Sequence, residues 1–264
     1  MTLHTSDMVN ETNTLTFFDC NCMIGKRSDR REGEPWSLDS LIQDMSYFGI
    51  AEALVSNATS KDFDPITGNN ELIQTISGHH HLHPVWTIVP PSTPEMPSPK
   101  QFVGESENNG VVAFTAFPKL HNFTIMDWCI GDLLIEIQKV GKPLLLPFSE
   151  TNWDEVHSIC TSFPNLPVIV HTVNYRQLRF LLPLWTKHRN LYVDISWFSI
   201  MDIIPFLTKH NLLDRLLFGT NYPIYSPGAA VTMVTYSKAN DDIKKKIAGD
   251  NLRKILQNTN FLRK

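Results

Sequence analysis

The amino-acid sequence predicts a single (β/α)8 TIM barrel, an α/β fold, and two observations support this prediction. Eight short apolar segments typical of β-strands alternate along the chain with segments of helical periodicity. The length of 264 residues suits one such barrel of about 250 residues. We therefore predict one domain over residues 1–264. The alternative is a doubly wound open sheet, which is disfavoured because no glycine-rich phosphate loop follows a strand.

The predicted elements follow one another in a regular order. The first helix has Ser37 before it as an N-cap and Gly49 after it as a stop. Five prolines in residues 90–100 exclude a regular element there and indicate a surface crossover. The predicted strands cover residues 15–18, 51–55, 84–89, 111–117, 144–148, 166–170, 191–195 and 216–219. The predicted helices cover residues 38–48, 69–77, 101–109, 126–140, 151–162, 175–188, 200–210, 229–237 and 241–256.

The composition is that of a globular protein with a sizeable core, since 42% of the residues are hydrophobic and 19% are charged. The 23 basic and 27 acidic residues give a net charge of −4, which disfavours nucleic acid as a partner. The sequence has neither a secretory signal nor a membrane-spanning run, and its four cysteines are typical of reduced thiols. We therefore expect a cytoplasmic protein that binds a small molecule, and a homo-oligomer is compatible with this composition.

The first strand ends in short polar and soft side chains, as barrel strands do where active sites are built. The sequence there is Phe17-Phe18-Asp19-Cys20-Asn21-Cys22-Met23-Ile24-Gly25. It resembles the first strand of the amidohydrolase-related family, which usually reads Asp-x-His-x-His. Both histidines bind the catalytic metal in that family, and Asn21 and Met23 stand in their places here.

Four later segments also resemble this family. Residues 142–147 match strand five, where Pro147 replaces a metal-binding histidine, and residues 163–171 match strand six and keep its histidine as His171. Residues 217–223 match strand eight with Asn221 in place of the usual aspartate. Residues 250–256 resemble the terminal helix. The resemblance spans nearly the whole chain and implies a hydrolase.

The metal site implied by this resemblance is degenerate. Four of its five positions carry a neutral amide, a thioether or a proline, while catalytic zinc sites normally have three protein ligands. We therefore expect no cofactor, although weak binding of a divalent metal such as zinc stays open. Since neighbouring strand residues alternate in direction, Cys20 and Cys22 are expected to face the helices as small apolar groups. The histidines of residues 79–83 precede strand three and are expected to pack or to be solvated.

Polar side chains at the carboxyl ends of the strands form the predicted site. His171 is the favoured proton carrier because an unperturbed histidine titrates near neutrality, with Glu150 and Asp194 as further catalytic candidates. Lys119 or an arginine of residues 26–35 would neutralise an anionic substrate. Each of these residues also has a structural interpretation. His171 could hydrogen-bond a neighbouring strand, and Glu150 could favour the start of a helix. Asp194 could cap a loop, and Lys119 could be a solvated surface lysine. The predicted substrate-binding residues are Asp19, Asn21, Lys119, His121, Asn174, Asn221 and Tyr222.

Three functions are consistent with these residues. The first is hydrolysis or isomerisation of a small polar substrate, such as a lactone, ester or amide, without a tightly bound metal. An anionic substrate is one form of this hypothesis. The second is a binding barrel that has lost catalysis along with its metal site. The third is a metal enzyme with weak or rebuilt ligation.

Overall fold

The computed structural model describes residues 15–198 and 203–257, and it confirms the predicted barrel. All pairs of neighbouring strands are parallel, and the strands follow one another around the barrel in chain order. The seam between the last and first strands is closed by the main chain: Cys20 N–H donates to Phe218 O at 3.0 Å and Met23 N–H to Tyr222 O at 2.9 Å. The strands are β1 Phe17–Ile24, β2 Ile50–Asn57, β3 Leu82–Thr87, β4 Ala113–Thr115, β5 Leu144–Pro147, β6 Val168–His171, β7 Leu191–Asp194 and β8 Leu216–Leu217.

The helices surround the barrel. They are α1 Leu38–Phe48, α2 Ala58–Asp62, α3 Pro65–Thr75, α4 Pro99–Asn108, α5 Asp127–Lys139, α6 Trp153–Ser162, α7 Leu178–Lys187, α8 Ile203–Lys209, α9 Pro227–Thr235, α10 Asp241–Lys245 and α11 Asn251–Gln257. Within the two described ranges, no helix is both long enough and apolar enough to cross a membrane. Residues 199–202 and the chain ends lie outside the described residues, so the domain boundaries of 1–264 and the predicted start of the helix at residue 200 stay predictions.

The segment after β2 differs from the sequence prediction, which placed a loop there until residue 69. Instead α2 begins directly after the strand, with Asn57 accepting a hydrogen bond from Thr59 N–H as its N-cap. Asp64 then caps α3, and Pro65 occupies its first turn. A capping residue followed by proline is a helix-start signal, because proline lacks the N–H that would otherwise be unsatisfied. The Asp64-Pro65 pair is such a signal, and the loop prediction for this segment is wrong.

The core has two layers. One cluster, containing Leu54, Leu145 and Ile169, fills the interior of the barrel, and a larger cluster of the alternate strand residues packs against the helices. Leu252 and Ile255 of α11 join the interior cluster, and α11 therefore closes the amino-terminal end of the barrel. Asn251 at the start of α11 donates hydrogen bonds to Leu213 O and Leu216 O near the beginning of β8.

A bulge in β1 changes the direction of its side chains. Asp19 pairs with Ala53 and Cys22 pairs with Val55, so β1 advances three residues while β2 advances two. Cys20 consequently packs inside the barrel with the interior cluster, and the expectation that it faces the helices is wrong. Cys22 packs in the outer cluster as expected. Because of the extra residue, Asn21 also reaches the carboxyl end of the barrel, as described below.

The amino-terminal end of the barrel holds an ion-pair network. Glu52 contacts His83 at 3.0 Å and Arg253 at 2.8 Å, and the hydrogen bond from His83 is the main reason that the pKa of Glu52 falls to about 2. The histidine-rich segment of residues 79–83 therefore lies at the end of the barrel opposite the predicted site. His83 has a packing role there, as the sequence indicated.

Gly68 of α3 provides a test of helix packing. A Cβ atom at Gly68 would lie 2.0 Å from Ser60 N and 2.5 Å from Ser60 Cα of α2, so the two helices touch through their backbones. We expect Gly68→Ala to lower the free energy of unfolding by about 1–3 kcal/mol or more, because the backbones must separate. Urea denaturation measures this change.

Gly104→Ala is the matched control. Gly104 lies inside α4, and a Cβ atom there would meet nothing within 4 Å. This variant should be as stable as the wild type or more stable by up to about 1 kcal/mol, since alanine favours the helix. Equal stabilities of the two alanine variants would contradict the backbone contact.

Candidate functional site

The side chain of Asn21 lies at the centre of the carboxyl end of the barrel. Its Nδ2 atom is 2.9 Å from His171 Nδ1, 3.4 Å from Asp194 Oδ2 and 3.4 Å from Asn221 Oδ1. These residues come from the ends of β6 and β7 and from the segment after β8. The sequence analysis placed all four residues in one site, and the structure brings them together.

The orientation of the Asn21 amide follows from its neighbours. With Nδ2 facing inward, an N–H2 group meets three acceptors, whereas the flipped amide would place its oxygen against two other oxygens. Since the amide nitrogen is a donor only, His171 Nδ1 must accept, and the proton of the neutral ring is on Nε2. Burial lowers the pKa of His171 to about 3, so the ring is neutral at physiological pH. In this environment His171 is therefore not a proton carrier that titrates near neutrality.

Asp194 is completely buried behind His171. Its Oδ1 accepts a hydrogen bond from Thr172 N–H at 3.0 Å, and burial is the main cause that raises its pKa to about 6. Thr172 has a positive φ of 60°, an uncommon conformation for a β-branched residue, and this backbone directs its N–H to the carboxylate. A Cβ atom at Gly219 would lie 2.5 Å from Asp194 Oδ2, so only glycine leaves room for the carboxylate.

Asp19 is a structural residue of the barrel seam. Its Oδ1 accepts from Asn21 N–H and Thr220 N–H, and its Oδ2 accepts from the Thr220 hydroxyl at 2.5 Å. Burial raises its pKa above the ordinary range, while these hydrogen bonds lower it. Asp19 was predicted to bind substrate. It is completely buried, and its described contacts join β1 to the segment after β8.

A cavity of about 380 Å³ opens next to this cluster, within the size range of small-molecule sites. His171 and Asn221 form part of its polar wall, together with four other predicted or adjacent residues. Aromatic side chains form much of the rest. The polar set is Glu150, His171, Thr172, Asn174, Asn221 and Tyr222, and the aromatic set adds Phe117, Phe148, Trp197 and Tyr225.

The charged groups at the rim of the cavity are mostly paired. Arg27 contacts Asp29 at 2.8 Å and Glu34 at 3.2 Å, and Lys61 contacts Asp62 at 3.2 Å. Arg27 and Lys61 both line the cavity. They are the cations available to a substrate there, in place of the predicted Lys119.

Four predicted substrate-binding residues are not part of the described cavity wall: Asp19 and Asn21, described above, and Lys119 and His121. Lys119 is exposed and donates to Ser149 O at 2.6 Å and Thr151 O at 3.3 Å, which holds the loop after β5. His121 contacts Lys61 O through Nε2 at 2.7 Å and so fixes the end of α2. Both side chains act on the loops that carry the cavity residues. Their predicted contact with substrate has no support in this geometry.

Several cavity residues were missing from the predicted site. Lys61 was missed because α2 was read as a loop, although it follows β2 at the carboxyl end. Thr172 directly follows His171, and its role depends on a backbone conformation that the sequence does not reveal. Trp197 and Tyr225 are aromatic residues after β7 and β8, the positions from which barrel loops build active sites.

The residues at this site do not fit a tightly bound catalytic zinc ion. His171 and Asp194 offer good ligand atoms, but the Asn21 group between them is a hydrogen-bond donor. In the described part of the chain, no group of three or more His, Cys, Asp or Glu side chains could hold a metal. Catalytic zinc sites normally have three protein ligands.

The comparisons with known proteins agree with the sequence resemblance. Residues 147–257 match the Amidohydro_2 model, described as amidohydrolase. This segment of the chain is similar to the amidohydrolases. It contains His171, Asp194 and Asn221, three of the four residues in the Asn21 cluster. No curated protein sequence matches the chain significantly.

Solved structures resemble this barrel over almost its whole length. An uncharacterised TIM-barrel protein from Bordetella bronchiseptica is 16% identical, covers 93% of this chain and 99% of its own, and has a TM-score of 0.71. A 5-carboxyvanillate decarboxylase from Novosphingobium aromaticivorans, with bound manganese, is 12% identical with coverages of 92% and 97% and a TM-score of 0.72. A probable 2-pyrone-4,6-dicarboxylic acid hydrolase from Acinetobacter baumannii, with citric acid bound, is 11% identical with coverages of 92% and 100% and a TM-score of 0.66. At these identities, the likeness establishes the fold.

The raised pKa of Asp194 predicts a pH-dependent stability. The folded protein holds this proton up to about pH 6, whereas the ordinary pKa of 3.8 applies to the unfolded chain. The folded state therefore binds more protons between these values, and the Asp194 contribution to the free energy of unfolding falls as the pH rises through this window. Asp194→Asn lacks this titration. The stability of the wild type relative to Asp194→Asn should fall by about 3 kcal/mol between pH 3 and 7 and stay level above.

Urea denaturation of both proteins at several pH values measures this difference. The comparison isolates Asp194, because all other titrating groups are common to the two proteins. A difference that does not change with pH would show that Asp194 has an ordinary pKa in the folded protein.

Proposed function

We propose that this protein hydrolyses a small, planar, polar ester or lactone without a tightly bound metal. The observation that carries the proposal is the donor group of Asn21 among His171, Asp194 and Asn221, next to a cavity of small-molecule size. The similarity to the amidohydrolases supports a hydrolytic reaction. The chemistry then has to come from the side chains that line the cavity.

His171 and Asn221 would stabilise the negative charge that develops on the substrate carbonyl oxygen. Because His171 Nδ1 accepts from Asn21, its Nε2–H is the group left for a substrate. Asn221 directs Oδ1 to Asn21, which leaves its own Nδ2 as a donor. Neutral donors in a water-poor cavity stabilise an oxyanion without having to reorganise.

Glu150 would accept the proton of the attacking water and return it to the leaving alkoxide oxygen when the acyl C–O bond breaks. It is the predicted catalytic carboxylate that lines the cavity, whereas Asp194 lies behind His171. Leu120 N–H donates to Glu150 Oε2 at 3.0 Å, which fixes the side chain and leaves Oε1 as an acceptor. Asp194 would act by positioning Asn21 and Thr172. In this proposal the proton acceptor is Glu150 and not His171. Both residues are among the three predicted catalytic candidates.

The substrate class follows from the cavity wall. Phe117, Phe148, Trp197 and Tyr225 suit a flat ring, and Lys61 and Arg27 are the cations that a carboxylate on that ring would meet. The Acinetobacter protein bears the name of a hydrolase for a pyrone dicarboxylic acid, which has both features. This name supports a ring lactone with a carboxylate as the first compound to test. The anion binds more weakly than at a free basic cluster, because both cations already have acidic partners.

The catalytic prediction concerns Glu150 and His171. Glu150→Gln should lower kcat on an active lactone or ester by about 10²- to 10⁴-fold, because a positioned base is lost. His171→Asn should lower kcat by about 10²- to 10³-fold, because the Nε2–H donor to the substrate carbonyl oxygen is lost. His80→Asn is the matched control, since His80 is exposed at the opposite end of the barrel. Steady-state kinetics on folded variants, checked by circular dichroism, measure these changes.

Full activity of Glu150→Gln would return the role of base to His171 or Asp194. Saturable binding of a ring carboxylate together with no turnover across esters, lactones and amides would favour the non-catalytic binding barrel. This second function is also consistent with the Asn21 cluster, which satisfies its own polar groups without a substrate.

The metal prediction is that protein purified without added metal contains less than one transition-metal ion per chain at this site. The reason is the donor chemistry of Asn21, Met23, Pro147 and Asn221. Elemental analysis measures it, and manganese deserves inclusion because the Novosphingobium decarboxylase has this metal bound. One tightly held metal ion per chain that is lost in His171→Ala would contradict the prediction. The combined variant Asn21→His, Met23→His, Pro147→His and Asn221→Asp should raise metal affinity.

A further inference from the structure

A second concave surface lies beside the cavity, between α1 and α9. This groove has a volume of about 480 Å³ and shares Tyr222, Pro223 and Tyr225 with the cavity wall. Its other side is formed by α1, through Gln43, Asp44, Tyr47 and Phe48, and its ends by prolines and a serine. The complete described lining is Pro35, Gln43, Asp44, Tyr47, Phe48, Tyr222, Pro223, Tyr225, Ser226 and Pro227.

The aromatic side of the groove is held in place by close packing. A Cβ atom at Gly228 would lie 2.9 Å from Phe48 Cε1, so the first turn of α9 rests on the Phe48 ring. The rings of Tyr47 and Phe48 meet edge to face, with centroids 4.8 Å apart and planes at 89°. Tyr47 is nevertheless 81% exposed, so its ring is available to a ligand. Four aromatic side chains therefore contribute to one small surface.

The charged group in the described lining of the groove is negative. Asp44 is its ionisable acid, and the described lining contains no lysine, arginine or histidine. Among the described residues, Asp44 forms no salt bridge. A half-buried carboxylate without a cationic partner, next to aromatic rings, favours a positively charged ligand because both the charge and the ring faces attract cations.

The hydroxyl of Tyr222 interacts with Asp44. Tyr222 is 2% exposed, and burial is the main cause that raises its pKa above the ordinary range; the negative charge of Asp44 and a side-chain hydrogen bond to Asp44 add to it. This contact holds the carboxylate of Asp44 beside the aromatic wall of the groove.

The amino terminus of α9 does not turn the groove into an anion site. Pro227 has no N–H, and Gly228 N–H already donates to Ser226 Oγ at 3.4 Å. Two of the first backbone groups of the helix are therefore unavailable to an anion. The unpaired Asp44 would also repel one.

We propose that the groove between α1 and α9 binds an organic ammonium ion that carries a small ring. Asp44, held by the Tyr222 hydroxyl, is the counter-charge, and the rings of Tyr47, Phe48 and Tyr225 are the walls. This site is separate from the proposed catalytic function and does not depend on it.

The test uses benzylammonium as the probe, with benzyl alcohol and benzoate as the uncharged and anionic counterparts. Binding to the full-length protein is measured by isothermal titration calorimetry and by backbone amide chemical shifts. Benzylammonium should bind best and should shift the amides of Gln43 and Ser226 more than those of Ser149 and Thr172 in the cavity. Asp44→Asn should weaken its binding by about 10-fold or more, and Tyr47→Leu by about 2- to 5-fold.

Asp39→Asn is the matched control. It removes the same charge from an exposed position on the same helix and should leave binding unchanged. Circular dichroism checks that each variant is folded, and Tyr47→Leu, at a largely exposed position, keeps the test decisive if Asp44→Asn unfolds. The proposal fails if benzyl alcohol or benzoate binds as well as benzylammonium, if both Asp44→Asn and Tyr47→Leu bind the probe like the wild type, or if the amide shifts lie in the cavity.

Discussion

The hydrogen-bond donor of Asn21 is the interaction on which the carboxyl end of this barrel depends. Without a donor at that position, the lone pair of His171 and the oxygens of Asp194 and Asn221 would face one another, and buried acceptors without partners are unfavourable. The two hydrogens of the amide nitrogen are shared among the three acceptors without a full positive charge. The site is therefore complete in itself as a hydrogen-bonded cluster.

Burial explains why both ionisable residues of the cluster favour their uncharged forms. It lowers the pKa of the His171 ring and raises that of the Asp194 carboxyl, the two directions that desolvation imposes on a base and on an acid. A titration range taken from the free amino acid could not anticipate either change. Glu150, which lines the open cavity, is under a different constraint because its position comes from a backbone donor at Leu120. Asp194 therefore has a structural role, whereas the proposed chemistry belongs to side chains of the cavity wall, among them His171 and Glu150.

The sequence predicts the barrel well because strand-helix alternation is a local property that each segment carries in its own residues. It also predicts that Asn21, His171, Asp194 and Asn221 meet, since they all follow the carboxyl ends of strands. It could not predict the direction of Cys20, because the bulge in β1 is defined by the register against β2. Lys119 was assigned to the substrate for a similar reason. Lys119 instead donates to the main-chain carbonyl of Ser149, 30 residues away in the chain. A sequence does not show which main-chain carbonyl a side chain will contact.

Because β8 is short, the main-chain hydrogen bonds between neighbouring strands are not evenly distributed around the barrel. With only Leu216 and Leu217 in regular strand conformation, β8 offers few main-chain bonds to β1, and the seam relies on the Asp19 carboxylate holding Thr220. A wall closed partly by a side chain separates with fewer broken bonds than one closed by a full ladder, such as that between β5 and β6. We therefore expect local opening, and with it amide hydrogen exchange, to be concentrated at this seam. Because Asn21 follows Asp19 and Asn221 follows Thr220, such opening would take the two amides of the site apart.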